Sequence, residues 1–151
     1  MELKSLIDTK NLSNNISKII SPGDVIFLYG EIGVGKTTFV RFLIHSFENR
    51  NKLKNSDVLS PTFNIVYDYD LGKIKIQHYD LYRLKDYKEI LQLGIFETSS
   101  NYIKIVEWPE FIEKKPKDRI DIIIKYSKKS DSRIVKIAGL GKWKNYKFDD
   151  I

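Results

Sequence analysis

Apolar residues along this chain follow two rhythms, and each predicts a different element. Residues 25–29, Val-Ile-Phe-Leu-Tyr, form an unbroken β-prone run, as expected of a strand buried on both faces. Residues 103–106, Ile-Lys-Ile-Val, read the same way. Residues 36–47 instead place Phe39, Val40, Leu43, Ile44 and Phe47 on one helical stripe, with Arg41, His45 and Glu48 off it. Residues 11–20 carry Leu12, Ile16, Ile19 and Ile20 at helical spacing, and Ser21-Pro22-Gly23-Asp24 stops that helix. Residues 2–7 predict a short strand. Residues 64–69 and 74–78 predict two strands separated by a hairpin turn at Asp70-Leu71-Gly72. Residues 86–93 predict a helix with Asp86 as N-cap and Gly94 as stop. Two more strands, 120–126 and 133–138, flank the polar turn 127–132, and the last ten residues are expected to be weakly structured.

Strands and helices interleave early and β-segments dominate late. The pattern predicts an α/β fold with a mainly parallel sheet covered by helices and extended by antiparallel edge strands. No repeat or linker divides the 151 residues, so a single domain is expected over 1–151. Hydrophobic residues make up 42% and charged residues 30%, an ordinary globular balance, and the lack of cysteine excludes disulfide scaffolds, thiol catalysis and Cys-based zinc sites. No apolar run approaches the ~18 residues of a membrane helix. The N-terminal MELKSLIDTK has no apolar signal core, and the expectation is a cytoplasmic protein with no membrane partner. Charge changes the picture in one place. Residues 1–113 carry 14 basic and 15 acidic side chains, whereas residues 114–151 carry 12 and 5. The net +6 therefore belongs to a basic, β-rich C-terminal part. Such a part can meet RNA or an acidic partner, or its lysines can simply keep open strands soluble.

The chemistry concentrates in Gly30-Glu31-Ile32-Gly33-Val34-Gly35-Lys36-Thr37, a full G-x-x-x-x-G-K-[ST] match between a buried strand and an amphipathic helix. Glycines let successive backbone N–H groups curl around one anion, and the helix N-terminus adds the positive end of its dipole. Lys36 is expected to reach β- and γ-phosphates, and the Thr37 hydroxyl to ligate Mg²⁺. Hydrolysis further needs a metal-holding acid at a strand end and a group to position water. Two acids fit: Asp80, after the β-prone segment 73–79, and Glu107, after 103–106. Carboxyl ends of parallel strands form the edge where ligands bind in open α/β sheets. Ser60-Pro61-Thr62 lies in the loop after the helix, and its Thr62 is a candidate γ-phosphate sensor or a simple cap. His78, on a strand beside Tyr79, reads as structural more readily than catalytic.

Four blocks then carry a family resemblance: Gly30 to Thr38, Ser60-Pro61-Thr62-Phe63, His78-Tyr79-Asp80-Leu81-Tyr82-Arg83-Leu84, and Val106-Glu107-Trp108-Pro109-Glu110. In order and spacing the chain resembles the TsaE (YjeE-type) ATPases of the bacterial machinery that makes threonylcarbamoyladenosine on tRNA. The resemblance implies a P-loop NTPase three-layer sandwich. It implies ATP as substrate nucleotide, held by Glu31, Ile32, Gly33, Val34, Gly35, Lys36, Thr37 and Thr38, with Arg133 near the nucleotide. It implies Mg²⁺ at Thr37 and Glu107, and Asp80 as a second acid that holds metal or orients water. Thr62 is implied as the switch-type threonine, and Trp108 and Glu110 as neighbours that shape the site. The implied activity is a weak Mg-dependent ATP hydrolysis that resets a complex with TsaB and TsaD between cycles, with tRNA contact direct or through those partners. The family usually has Asp-Leu where Glu31-Ile32 stand and Ala where Val34 stands, so Val34 is expected to add bulk near the phosphates. Asn64 replaces a more usual Tyr or Thr.

Other P-loop functions compete. A small-molecule kinase usually brings lid arginines to the transferring group, and this chain has five arginines with no cluster. A small GTPase would need Asp as the fourth residue of Asn51-Lys52-Leu53-Lys54 to read guanine. A nucleotide-gated RNA-binding scaffold would use Trp143 and Tyr146 among the C-terminal lysines to stack on bases.

Overall fold

A computed structural model describes residues 1–97, 101–128 and 131–148. Its elements in chain order are β1 (Glu2–Leu3), α1 (Leu6–Ile19), β2 (Val25–Tyr29), α2 (Lys36–Arg50), β3 (Val66–Asp70), β4 (Lys75–Asp80), α3 (Tyr87–Gln92), β5 (Tyr102–Glu107), β6 (Arg119–Tyr126) and β7 (Arg133–Leu140). Short 3₁₀ turns at Pro109–Phe111 and Gly141–Trp143 complete them. Among the described residues the strands make one sheet in the order β1-β7-β6-β2-β5-β4-β3. The central pairs β6·β2, β2·β5 and β5·β4 are parallel. The outer pairs β3·β4, β6·β7 and β1·β7 are antiparallel. The fold class is the one the sequence predicts.

Alternation of side chains along the strands divides the core in two. Ile26 and Leu28 of β2, Ile76 of β4, and Ile103 and Ile105 of β5 pack under α1 and α2. Val25 and Phe27, Tyr79, and Val106 turn the other way, toward Ile90 of α3, Ile95 and Ile112. Helices therefore cover both faces, giving three layers. The consequence for function is positional. Residues that follow the inward phase of β4 and β5 emerge at the strand ends beneath the first turn of α2.

Two expectations fail, each for a local reason. Residues 2–7 are not one strand: only Glu2–Leu3 pair with β7, and the helix begins at Leu6, well before its apolar stripe. Ser5 caps it, accepting from the Asp8 amide at 3.2 Å, while Asp8 accepts from the Lys4 amide at 2.8 Å. The capped first turn leaves Leu6 and Ile7 exposed, so hydrophobicity there misleads. The C-terminal tail is likewise ordered as far as Phe148, where weak structure is expected. Trp143 and Phe148 are buried in the α1–α2 core, and Tyr146 packs against both rings. Lys142 reaches the buried Asp24 at 2.5 Å.

These aromatics fasten the tail to the domain, and burial takes Trp143 away from the base-stacking role the scaffold reading gives it, whereas Tyr146 stays exposed. Their spacing, 143, 146 and 148, matches neither a helix nor a strand, so no periodicity announces them. The turn 127–132 falls partly outside the described residues, as do the last three residues of the chain. Among the described residues, no helix is long and apolar enough to cross a membrane.

Candidate active site

β2 delivers the chain to Gly30 at the carboxyl edge of the sheet. Gly30 has φ 144°, and a Cβ there would lie 2.3 Å from the Ile124 carbonyl oxygen, so only glycine fits this bend. Gly35 is the N-cap of α2 with φ 114° and offers no capping side chain. The Phe39 amide makes the bond to the Gly35 carbonyl at 3.0 Å, so the amides of Lys36, Thr37 and Thr38 precede the helix's own ladder. An uncapped helix mouth with no acid in its first turn suits an anion. A cleft of about 240 Å³ opens there, with Gly33, Gly35, Lys36, Thr37 and Thr38 on one side and Thr62, Asp80, Glu107 and Trp108 on the other.

The two predicted acids reach this cleft through strand register. Asp80 and Glu107 are directly paired across β4 and β5. Both are nearly fully buried. Glu107 accepts from the Thr37 hydroxyl at 2.9 Å through Oε1 and 3.2 Å through Oε2, and His78 Nε2 lies 2.8 Å from Oε1. Asp80 Oδ2 accepts from the Thr62 hydroxyl at 2.9 Å and from the Ser60 hydroxyl, while Oδ1 accepts from the Tyr82 amide at 2.9 Å. Among the described residues no three His, Asp or Glu side chains form a metal-holding cluster. The donor set at the cleft is the hydroxyls of Thr37, Thr38 and Thr62 and two carboxylates, all hard oxygens. It suits a cation that completes its shell with water and a ligand's phosphates, as Mg²⁺ does.

Lys36 bridges the loop. Its ammonium donates to the carbonyls of Gly30 at 2.7 Å and Glu31 at 2.9 Å and sits 3.9 Å from the centre of the Trp108 ring. Burial holds its pKa below the ordinary lysine value, and the charges of Glu107, Asp80 and Glu110 pull it back up. Trp108 takes φ 60°, a left-handed conformation that a bulky residue adopts only when its surroundings impose it. Its amide bonds to the Leu28 carbonyl at 3.2 Å, and its ring meets Tyr82 at 4.9 Å.

Three candidates stand apart from the cleft lining. The Val34 side chain is buried in the core beneath the loop, so its extra bulk points away from the phosphate cradle, contrary to expectation. Glu31 contributes its carbonyl to Lys36 while its side chain is exposed. Arg133 braces the loop from behind, donating to the Val34 carbonyl at 3.2 Å and stacking on Tyr126 at 4.6 Å. Among the described residues no arginine lines the cleft. Two residues at the site are missed by sequence reasoning, which gives Ser60 no role and reads His78 as structural. The signal for Ser60 is its place two residues before Thr62. The signal for His78 is its alternation with Asp80, two positions on along the same face.

The model of the family described as "Threonylcarbamoyl adenosine biosynthesis protein TsaE" matches residues 3–135. The chain belongs to the TsaE family. The tRNA threonylcarbamoyladenosine biosynthesis protein TsaE of Rickettsia prowazekii is 38% identical over 111 residues, 74% of each chain. That of Bacillus subtilis is 32% identical over 135 residues, 89% of this chain and 81% of the relative. The crystal structure of Bacillus subtilis YdiB superposes with a TM-score of 0.74 at 26% identity, covering 95% of this chain and 86% of the other. TsaE membership ties the protein to threonylcarbamoyladenosine biosynthesis, and the four motif blocks all lie within the matched span.

Proposed function

We propose that this TsaE protein binds Mg·ATP in the cleft at the mouth of α2 and hydrolyses it slowly, in the service of tRNA threonylcarbamoyladenosine formation. The observation that carries the reading is the bond between Thr37 and Glu107, two residues 70 positions apart that meet where the loop, the helix and the sheet edge converge. Thr37 and Glu107 would hold Mg²⁺, with Asp80 as the second acid that would hold the metal or orient water. When bound, the ion neutralises charge on the β- and γ-phosphates. The loop amides and Lys36 bind the phosphates. By accepting the Thr37 hydrogen, Glu107 leaves that hydroxyl's lone pairs free to serve as a ligand. Asp80 accepts from Thr62 and Ser60 and would orient water. Hydrolysis by this chain would reset a complex with TsaB and TsaD, with tRNA engaged directly or through them.

ATP turnover measured alone and with TsaB and TsaD tests the reading. Turnover is expected to be slow alone and to rise with the partners, and Lys36→Ala is expected to lose most nucleotide affinity. Wild-type affinity for Mg·ATP in a folded Lys36→Ala protein overturns it.

A further inference from the structure

Glu107 is held on a second side by a buried histidine that the proposed hydrolysis does not use. His78 lies within β4, paired with Ile105 and fully buried. Its Nε2 stands 2.8 Å from Glu107 Oε1, while its Nδ1 is buried with no hydrogen-bond partner among the described residues. A carboxylate oxygen only accepts, so the nitrogen facing it carries the hydrogen. The ring therefore meets Glu107 through an Nε2–H, and among the described residues its Nδ1 makes no bond of its own. The position itself asks for nothing polar, because Ile76, Ile103 and Ile105 share that face of the strands. Burying an unpartnered ring nitrogen there is unfavourable, and the bond to Glu107 is what offsets it.

We propose that His78 is a positioning residue of this site: its Nε2–H pins Glu107 Oε1, so that the carboxylate keeps accepting from Thr37 rather than swinging toward Lys36. Oε2, whose contact is the longer one to Thr37 at 3.2 Å, is then the oxygen left to serve the metal or its water. This rests on the reading that the cleft holds Mg·ATP.

The test uses the full-length protein. Ring ¹⁵N NMR on the unliganded wild type is expected to show a hydrogen on His78 Nε2, and a ring protonated at Nδ1 alone overturns the proposal. The chain has two histidines, so a His45 variant completes the assignment. The second measurement is the ratio of affinities for a fluorescent ADP with Mg²⁺ and with EDTA. In His78→Leu this ratio is expected to fall about tenfold, the usual effect of removing a group that orients a metal ligand, with metal-free affinity unchanged. His78→Gln, whose amide nitrogen can stand where Nε2 stands, is expected to recover most of the ratio. Wild-type behaviour in His78→Leu, or equal impairment in both variants, overturns the proposal. Should His78→Leu not fold, His78→Asn replaces it, since its shorter side chain cannot reach Oε1. Glu107→Gln run alongside separates the two ideas. If Glu107→Gln keeps the full ratio, the Mg·ATP reading fails. If it loses the ratio and the His78 variants do not, only the histidine assignment fails.

Discussion

Glu107 and Asp80 are neighbours in register, yet different parts of the molecule hold them. Glu107 is gripped by regular structure: Thr37 from the first turn of α2 and His78 from β4. Asp80 is gripped by Ser60 and Thr62, both from the loop between α2 and β3, and by the Tyr82 amide in its own turn. Two carboxylates of one charge on one sheet edge thus belong to two assemblies. The first couples the helix mouth to the sheet. The second couples a loop to the sheet, and that loop contains Thr62. Adjacency alone does not make the two acids interchangeable.

The largest expected effects break the pair apart. Glu107→Gln should lose about 100-fold or more in turnover, the scale for removing a group that stabilises developing charge, and should also lose the Mg²⁺ dependence of ADP binding. Asp80→Asn should lose turnover by about 100-fold while ADP binding keeps most of its Mg²⁺ dependence. Steady-state turnover and equilibrium titration of both variants decide this. Equal loss of Mg²⁺ dependence in the two would merge the assemblies.

A smaller effect sharpens the Asp80 side. Ser60→Ala and Thr62→Ala should each slow turnover by about tenfold, on the order of 1.4 kcal/mol. On an Asp80→Asn background the same changes should add little, because partners in one hydrogen-bonded unit are not additive. Full additivity in that double-mutant cycle would mean the hydroxyls act apart from Asp80.

The contrast also separates what the sequence makes legible from what it does not. The loop 30–37 is contiguous, and its chemistry follows from residue order. The two acids are readable because each ends a β-prone run, and strand ends are where ligands bind. Their pairing is not readable, since it depends on which strands adjoin and in what register. His78 looks structural in one dimension and acquires a role only when β5 sets Glu107 beside it. Arg133 and Val34 show the reverse: close to the loop, they face its outer and under sides. The left-handed backbone of Trp108 is likewise invisible, because that conformation is imposed by surroundings and not by Trp itself. At the termini, Ser5 with Asp8 outweighs the apolar Leu6 and Ile7, and Trp143 finds its place only against a core assembled from distant strands.

The smallest effect ranks the two acids by their pull on Lys36. Nucleotide phosphates favour the charged ammonium, so affinity in the absence of metal should fall as rising pH removes its proton. Burial lowers the pKa from the ordinary 10.5, so the fall begins earlier in pH than for an exposed lysine. Glu107 is the strongest of the charges that oppose this lowering, and Asp80 the next. Neutralising either acid lets the pKa drop further and moves the fall to lower pH. Glu107→Gln should move it more than Asp80→Asn. Titrations of fluorescent ADP in EDTA across alkaline pH measure the order directly. A fall displaced more by Asp80→Asn would show that Lys36 belongs to the loop-held acid rather than to the helix-held one, and a fall displaced to higher pH in either variant would show that the acid does not support the ammonium's charge.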